Sequence, residues 1–208
     1  MVGGALGKYS EQCFYIMKSI ILIGNGGHCK SVIDVIEQEA KYKILGIVGS
    51  SESKGTDLLG YKVIGDDSDL QNLSKKCKYA LVTVGQIHSP KTRIKLFDLL
   101  VDSGFILPSI ISPRAYVSKY ACIGNGTIVM HDAIVNTNAV VGQNCIINSK
   151  ALVEHDSIIH NHCHISTGAT INGNVLIEDG CFIGSGAIAS NSIIIKKNGF
   201  VKAGALVK

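Results

Sequence analysis

A six-residue periodicity fills the carboxyl-terminal half of this chain. From Val117 to Val207 every sixth residue is Val or Ile, except for Ala189. Side chains in a helix repeat every 3.6 residues and in a strand every two, so neither element needs a period of six. A chain wound through three short flat faces per turn does need it, because one residue per face must point at the axis. The pattern therefore predicts a parallel β-helix from about Ala115 to the end, with about 18 residues per coil.

The positions between these residues support the same interpretation. The residue two places before each Val or Ile is mostly small, as in Ala133, Ala151 and Cys163. Gly, Asn and Asp are frequent at the remaining positions, where tight corners need residues that tolerate positive φ.

Composition excludes several classes of protein. The 208 residues are 46% apolar, which fits a globular chain and not a disordered one. The net charge of +4 comes without an Arg/Lys stripe, so no nucleic-acid partner is predicted. No apolar run approaches the ~20 residues of a membrane span, and the first residues do not have the layout expected of a signal peptide. We expect no membrane partner and a cytoplasmic location.

Seven cysteines, an odd number, suggest free thiols in a reducing compartment. Cys145, Cys163 and Cys181 are 18 residues apart, so they should stack on one inner face. They are either a thiol ladder for a metal or small core residues, and the second interpretation is favoured because cysteine packs as a small hydrophobe. No metal site is predicted.

Three regions are expected along the chain. Residues 1–17 read as a disordered extension. Residues 18–110 alternate apolar runs with helical patterns, which predicts a small Rossmann-like α/β domain with a parallel sheet. Residues 111–208 form the β-helix. The expected strands of the first domain are 19–23, 44–48, 63–64 and 79–84, with a last strand or linker at 106–111. Three helices are expected: one that ends near Ala40, one over residues 69–76 and one over residues 90–103.

A glycine loop follows the first predicted strand and opens a helix. Such a loop brings backbone N–H groups and a helix amino terminus to a phosphate. Cys29 replaces the third glycine of the dinucleotide fingerprint, and Gly49-Ser50 replaces the acid expected after strand two, so NAD is not predicted. A nucleotide diphosphate is preferred over a purely structural turn. Gly85, which follows a second parallel strand, should line the same crevice. The loop residues are Gly24, Asn25, Gly26, Gly27 and His28.

Five of the seven histidines fall between positions 131 and 164. His155 lies at a predicted corner next to Asp156, a carboxylate that could orient the ring and fix one tautomer. A general base of this kind suits acyl transfer, because the acceptor loses a proton as it attacks a thioester. His164 should point outward from the coil, and bringing it near His155 would need a second subunit. His160 and His162 are interpreted as surface residues.

The combination of this loop with a hexapeptide coil that carries Asn148, Glu154-His155-Asp156 and His164 resembles the bacterial sugar acetyltransferases of the bacillosamine and sialic acid pathways. The resemblance covers about residues 18–208. It implies a left-handed β-helix, a homotrimer and acetyl-CoA as co-substrate. It also implies a role for each matching residue: His155 as the base with Asp156 as its partner, Asn148 near the acceptor amine, the loop 24–28 at the nucleotide phosphates, and His164 with Gly173 and Gly184 at acetyl-CoA.

The predicted function is acetyl transfer to a nucleotide-linked amino sugar of the UDP-4-amino-4,6-dideoxy type. Three alternatives remain open at this point. The acceptor could be a hydroxyl of sialic acid or another nonulosonate. A zinc hydratase can be built on the same coil. The chain could also be a non-catalytic scaffold that binds nucleotide sugars.

Overall fold

The computed structural model describes residues 17–208. The extension predicted over residues 1–17 lies outside the described residues, except for Met17. An α/β domain comes first, and a left-handed parallel β-helix follows it. None of the helices within residues 17–208 has the length and apolar content to cross a membrane.

The α/β domain contains five strands and three helices. In chain order they are β1 (Lys18–Ile23), α1 (Gly27–Glu39), β2 (Tyr42–Val48), β3 (Asp57–Leu58), β4 (Tyr61–Gly65), α2 (Leu70–Ser74), β5 (Tyr79–Val82) and α3 (Lys91–Asp102). Short 3-10 turns lie at Ser51–Ser53 and Asp67–Asp69.

The sheet has the order β3-β4-β2-β1-β5, and only the edge strand β3 is antiparallel to its neighbour. Ile20–Ile23 in the central strand β1 are buried, as expected for a parallel strand covered on both faces. Buried residues of α1 pack on one side of the sheet, whereas Leu96, Phe97 and Leu100 of α3 pack on the other. The carboxyl ends of β1, β2 and β5 therefore meet at one edge of the sheet, where the glycine loop begins.

The β-helix consists of two-residue strands that stack into three sheets. The first face contains β6 (Ile110–Ile111), β9 (Ile128–Val129), β12 (Ile146–Ile147), β15 (His164–Ile165), β18 (Phe182–Ile183) and β21 (Phe200–Val201). The second face contains β7 (Tyr116–Val117), β10 (Ile134–Val135), β13 (Leu152–Val153), β16 (Thr170–Ile171), β19 (Ile188–Ala189) and β22 (Leu206–Val207). The third face contains β8 (Cys122–Ile123), β11 (Val140–Val141), β14 (Ile158–Ile159), β17 (Leu176–Ile177) and β20 (Ile194–Ile195).

The six-residue register predicted from the sequence is the inner core of this coil. Val129, Val153, Ile165 and Ile183 are at most 1% exposed, and the small residues two places earlier are equally buried. Cys145, Cys163 and Cys181 belong to the same buried ladder and are free thiols. Each fully buried Val or Ile side chain contributes about 1.5–3 kcal/mol, which makes this ladder the main source of stability of the coil.

The amino-terminal domain covers the first face of the coil. Ile110, Ile128 and Met130 are buried and pack with residues of α1 and the sheet. A hydrogen-bonded chain also crosses the junction: Ser112 Oγ lies 2.7 Å from His131 Nδ1, and His131 Nε2 lies 2.7 Å from Asp34 Oδ2 on α1. The two domains are therefore packed against each other through apolar and polar contacts.

Several predicted boundaries differ from the structure. The first strand of the coil is β6, which pairs with β9, so the coil begins at Ile110 and not at Ala115. The sequence therefore placed this strand in the amino-terminal domain. Proline at positions 108 and 113 suggested a linker, but the strand lies between these two residues. Strand β5 ends at Val82, two residues before the predicted end, and strand β3 was not predicted.

Candidate active site

A cavity of about 840 Å³ lies between the glycine loop and the first face of the coil. The loop forms one wall and the end of β5 forms another. The third wall belongs to the β-helix. Predicted site residues that line the cavity are Gly24, Asn25, Gly26, Gly27, His28, Gly85, Asn148 and His164.

The loop has the geometry of an anion site. Gly24 has φ +109°, and a Cβ there would lie 2.5 Å from Val84 Cγ2, so this position requires glycine. A Cβ on Gly26 or Gly27 would meet nothing within 4 Å, so these two residues face open space. Helix α1 begins at Gly27 without a side-chain cap, which leaves its first N–H groups directed at the cavity.

His164 and Asn148 form a fixed pair on the coil side. His164 Nδ1 donates to the main-chain carbonyl oxygen of Gln86 at 2.5 Å, and Asn148 Nδ2 donates to His164 Nε2 at 3.1 Å. Asn148 Oδ1 accepts from the N–H of Ser149, which fixes the orientation of the amide. His164 points outward from the coil, as predicted, but it is buried because the amino-terminal domain covers it.

Two histidines in this cavity are held neutral. Burial, together with the electrostatic effects of Arg93 and His164, lowers the pKa of His28 to about 3. Burial also lowers the pKa of His164 to about 4, against the opposing effect of its bond to Gln86. The Nε2 atom of His28 is buried and has no hydrogen-bond partner within residues 17–208. An incoming polar group could supply that missing partner.

Two further residues were not predicted from the sequence: Gln86, which lines the cavity, and Arg93, which lies behind it. Gln86 Nε2 donates to the carbonyl oxygens of His162 and Cys181, so the segment after β5 is tied to the coil. The buried guanidinium of Arg93 reaches from α3 to the end of β5 and to Asn144 of the coil. Burial lowers its pKa to about 10, so Arg93 remains a cation at neutral pH.

A second cavity of about 720 Å³ continues from the other side of the glycine loop. It shares Gly24, Asn25 and Val84 with the first cavity and runs along the carboxyl ends of β2 and β4. The polar and charged side chains that line it are Ser50, Ser51, Glu52, Asp66, Asp67, Ser68, Thr92 and Lys95. A ligand bound across the loop would therefore extend into both cavities.

His155 and Asp156 lie apart from these cavities, at the corner between the second and third faces. His155 Nδ1 lies 2.8 Å from Asp156 Oδ2, and the ring is exposed. The bonds from His155 and Asn138 keep the pKa of Asp156 below its usual range. Because an ionised carboxylate only accepts, Nδ1 donates to Asp156, and the neutral form of the ring has its free lone pair on Nε2. The His-Asp pair therefore has the geometry of an oriented base.

The two glycines assigned to the cofactor have different surroundings. Gly173 lies one coil beyond His155, and its absent side chain leaves room for the imidazole. Gly184 lies close to the next coil, where a Cβ would clash with the backbone nitrogen of Ala203. Coil packing alone therefore explains the glycine at 184. Neither residue lines the cavity that contains His164.

Comparison with known proteins identifies the class to which this architecture belongs. Residues 19–100 match the family described as the PglD N-terminal domain. The structure resembles the acetyltransferase domain of PglB from Neisseria gonorrhoeae, with 32% identity, a TM-score of 0.84, and coverage of 92% of this chain and 91% of that one. That domain has also been solved with acetyl coenzyme A.

A similar likeness extends to PerB from Caulobacter crescentus, solved with CoA and GDP-perosamine. Identity is 30%, the TM-score is 0.85, and the alignment covers 91% of this chain and 88% of PerB. WeeI from Acinetobacter baumannii shares the fold at 23% identity and a TM-score of 0.70. A comparison with curated protein sequences found no significant match.

The chain thus belongs to the hexapeptide-repeat sugar N-acetyltransferases of bacteria. The protein is an acyltransferase, and the resemblance and the fold class predicted from the sequence are confirmed.

Proposed function

We propose that this protein transfers an acetyl group from acetyl-CoA to the amino group of a nucleotide-linked 4-amino-4,6-dideoxy sugar. The observation that carries the proposal is the loop cavity, where an open helix amino terminus faces Asn148 and neutral His164. The nucleotide diphosphate would bind the loop, with the base in the second cavity and the sugar toward Asn148. CoA in PerB and acetyl coenzyme A in the PglB domain support the choice of co-substrate.

His155 is the proposed general base. As the amine nitrogen attacks the thioester carbonyl carbon, Nε2 of His155 takes a proton from it. Asp156 stabilises the imidazolium that forms. When the tetrahedral intermediate collapses, the C–S bond breaks and the imidazolium returns the proton to the CoA thiolate. The products are the N-acetylated sugar and CoA.

A homotrimer would complete this site. Within one chain, His155 and the loop cavity lie at opposite edges of the second face, so they do not meet. In a ring of three copies packed through their second faces, one edge of each copy meets the other edge of the next. The second face carries the exposed apolar side chains that such packing needs: Tyr116, Ile134, Ile188 and Leu206.

The location of His164 in the loop cavity limits where the acetyl group of acetyl-CoA would enter the site. The prediction that His164 contacts acetyl-CoA remains compatible with this site, because the thioester must reach the acceptor amine near Asn148. In the trimer, acetyl-CoA would lie between the second-face edge of one copy and His155 of the next. Gly173, beneath the His155 ring, would then border the co-substrate.

An acceptor panel tests the proposed function. Thiol release from acetyl-CoA would be measured with UDP- and GDP-linked 4-amino-4,6-dideoxy sugars, with the free amino sugars, and with sialic acid. We expect turnover only with a nucleotide-linked amine. Turnover with sialic acid alone would establish the O-acetyltransferase alternative. Thiol release with none of them, despite nucleotide binding, would favour the scaffold, and stoichiometric zinc in the purified protein would favour the hydratase.

A further inference from the structure

Arg93 is a fully buried cation that forms no ion pair with a carboxylate among residues 17–208. One terminal nitrogen donates to the carbonyl oxygens of Val82 at 3.2 Å and Val84 at 2.6 Å. The other donates to the main-chain oxygen of Asn144 at 3.2 Å and to its Oδ1 at 2.8 Å. Nε has no partner, and no ion pair of the described chain includes Arg93.

A buried guanidinium satisfied only by neutral oxygens is unfavourable, because these dipoles do not replace the water it has lost. Arginine is nearly always exposed or paired with a carboxylate. The position could instead be filled by an apolar side chain of similar volume, which is often neutral or stabilising where a charge has been buried. The hydrogen bonds of Arg93 explain how the end of β5 is held against the coil, but they do not explain why the group that makes them is charged.

The field of Arg93 reaches the glycine loop. Val84, which accepts the shortest of its hydrogen bonds, lines both cavities and contacts the position of Gly24. The charge of Arg93 also helps to keep the pKa values of His28 and His164 low, and both residues line the loop cavity. Because the guanidinium is shielded from solvent, salt screens this field much less than it screens an exposed lysine.

We propose that the buried charge of Arg93 is the counter-charge for the diphosphate of the nucleotide sugar, acting across Val84 without contact with the ligand. This inference rests on the proposed function, since it requires a diphosphate on the glycine loop. It assigns Arg93 as a positioning residue with an electrostatic effect on binding. The same hydrogen bonds hold the end of β5 against the coil, so the charge and the loop keep a fixed separation.

The test compares a nucleoside diphosphate with its nucleoside, in order to isolate the effect of the ligand charge. Calorimetry at pH 7 would give the dissociation constants of UDP and uridine, and of GDP and guanosine. The measured quantity is the ratio of nucleoside to diphosphate dissociation constants. The variants are Arg93→Gln, which removes the charge but keeps an amide donor, and Arg93→Lys, which keeps the charge but loses the planar fork. Lys91→Met, on the same helix and away from both cavities, is the matched control.

We expect the ratio to fall about tenfold or more in Arg93→Gln, equivalent to about 1.4 kcal/mol, and to stay within about threefold of wild type in Arg93→Lys and Lys91→Met. An unchanged ratio in Arg93→Gln would overturn the inference. An equal loss in the Gln and Lys variants would also overturn it, because geometry and not charge would then be responsible. If the wild type binds neither UDP nor GDP, the proposed function itself fails.

A second measurement needs only the wild-type protein, in case the Arg93 variants do not fold. Between about 0.05 and about 0.5 M NaCl, a ratio set by a buried charge should fall less than about threefold. A fall of about tenfold or more would show that exposed lysines such as Lys95 supply the charge, and would contradict the role of Arg93.

Discussion

The imidazole of His155 lies directly over Gly173, the residue one coil further along the β-helix. A Cβ at position 173 would be 2.7 Å from His155 Cε1 and 2.9 Å from Nε2. The bond from Nδ1 to Asp156 also holds the ring. The place of the proposed base is therefore set by a neighbouring residue that lacks a side chain, as well as by its carboxylate partner.

The substitution Gly173→Ala should displace the His155 ring without unfolding the coil, because the clash involves a movable side chain and Gly173 has no positive φ. We expect kcat to fall about tenfold, since the proton acceptor moves away from its working geometry. Steady-state thiol release with the preferred acceptor gives the value. Asn191→Ala, one coil beyond Gly173, should leave kcat unchanged; equal effects of both substitutions would argue against a specific role for Gly173.

Removal of the base itself should have a larger effect. A general base typically contributes about 10²–10⁴-fold, so His155→Ala should lower kcat by that factor while acetyl-CoA affinity stays nearly constant. Asp156→Asn should reduce kcat less, because the ring remains. The assay is thiol release at saturating acetyl-CoA, with the exposed His160→Ala as control. Near wild-type turnover in His155→Ala would place the base elsewhere.

The glycine loop offers a test of the nucleotide site. A side chain at Gly27 would meet no protein atom within 4 Å, so Gly27→Val should fold normally yet fill the space proposed for phosphate. Nucleotide-sugar affinity should fall about tenfold or more, with acetyl-CoA affinity retained. Calorimetry with each ligand measures both effects. Gly24→Ala, which clashes with Val84 at positive φ, should instead lower the melting temperature, and a loss of both ligands in Gly27→Val would indicate misfolding.

The second and third faces of the coil both carry exposed apolar side chains, so a substitution on each face tests which of them forms the trimer. Ile188 lies on the second face and is 43% exposed, whereas Ile194 lies on the third face and is 53% exposed. Burying a glutamate between subunits is unfavourable, so Ile188→Glu should produce monomers and abolish most activity. Ile194→Glu should remain a trimer with normal turnover. Light scattering measures the mass; a monomeric wild type would refute both the trimer and the shared site.

Acid should destabilise the protein through its buried histidines. The folded pKa of His164 is about 4, below the unfolded value of 6.5, so the unfolded chain binds more protons between these pH values. Stability therefore falls as pH decreases through this window, by up to ~1.4 kcal/mol per pH unit for each such histidine. Urea unfolding from pH 7 to pH 4 would show it. His164→Gln should flatten the slope, while the exposed His160→Gln should not.

The hexapeptide core was predictable because its signal is local and repeated. Ile165 and Cys163 occupy the same inner positions as the residues 18 places away in the neighbouring turns. The residue pattern of one turn therefore predicts the structure of the next. The His155-Asp156 pair was predictable for the same reason, since adjacent residues at a corner remain neighbours.

The contacts across the domain junction were not predictable in this way. The bond between Arg93 and Asn144 joins residues 51 positions apart, and the bond between Gln86 and His164 joins residues 78 apart. Arginine and glutamine usually face solvent, so neither suggested a buried role. Ile128 and Ile146 point outward from the first face and are buried, and no local pattern shows whether the domain or another subunit covers such residues.

The docking of the amino-terminal domain on the first face limits where residues can be inserted into or deleted from the β-helix. Each six-residue strand-and-corner unit turns the coil by a third of a revolution, so an insertion of six residues between Asn148 and His164 would rotate His164 away from Gln86. An insertion of eighteen residues, one full turn of the β-helix, would restore the orientation of His164. It would also shift the downstream chain by one turn along the axis, away from the segment after β5. We therefore expect natural insertions and deletions of whole 18-residue turns only beyond the part of the β-helix that the domain covers.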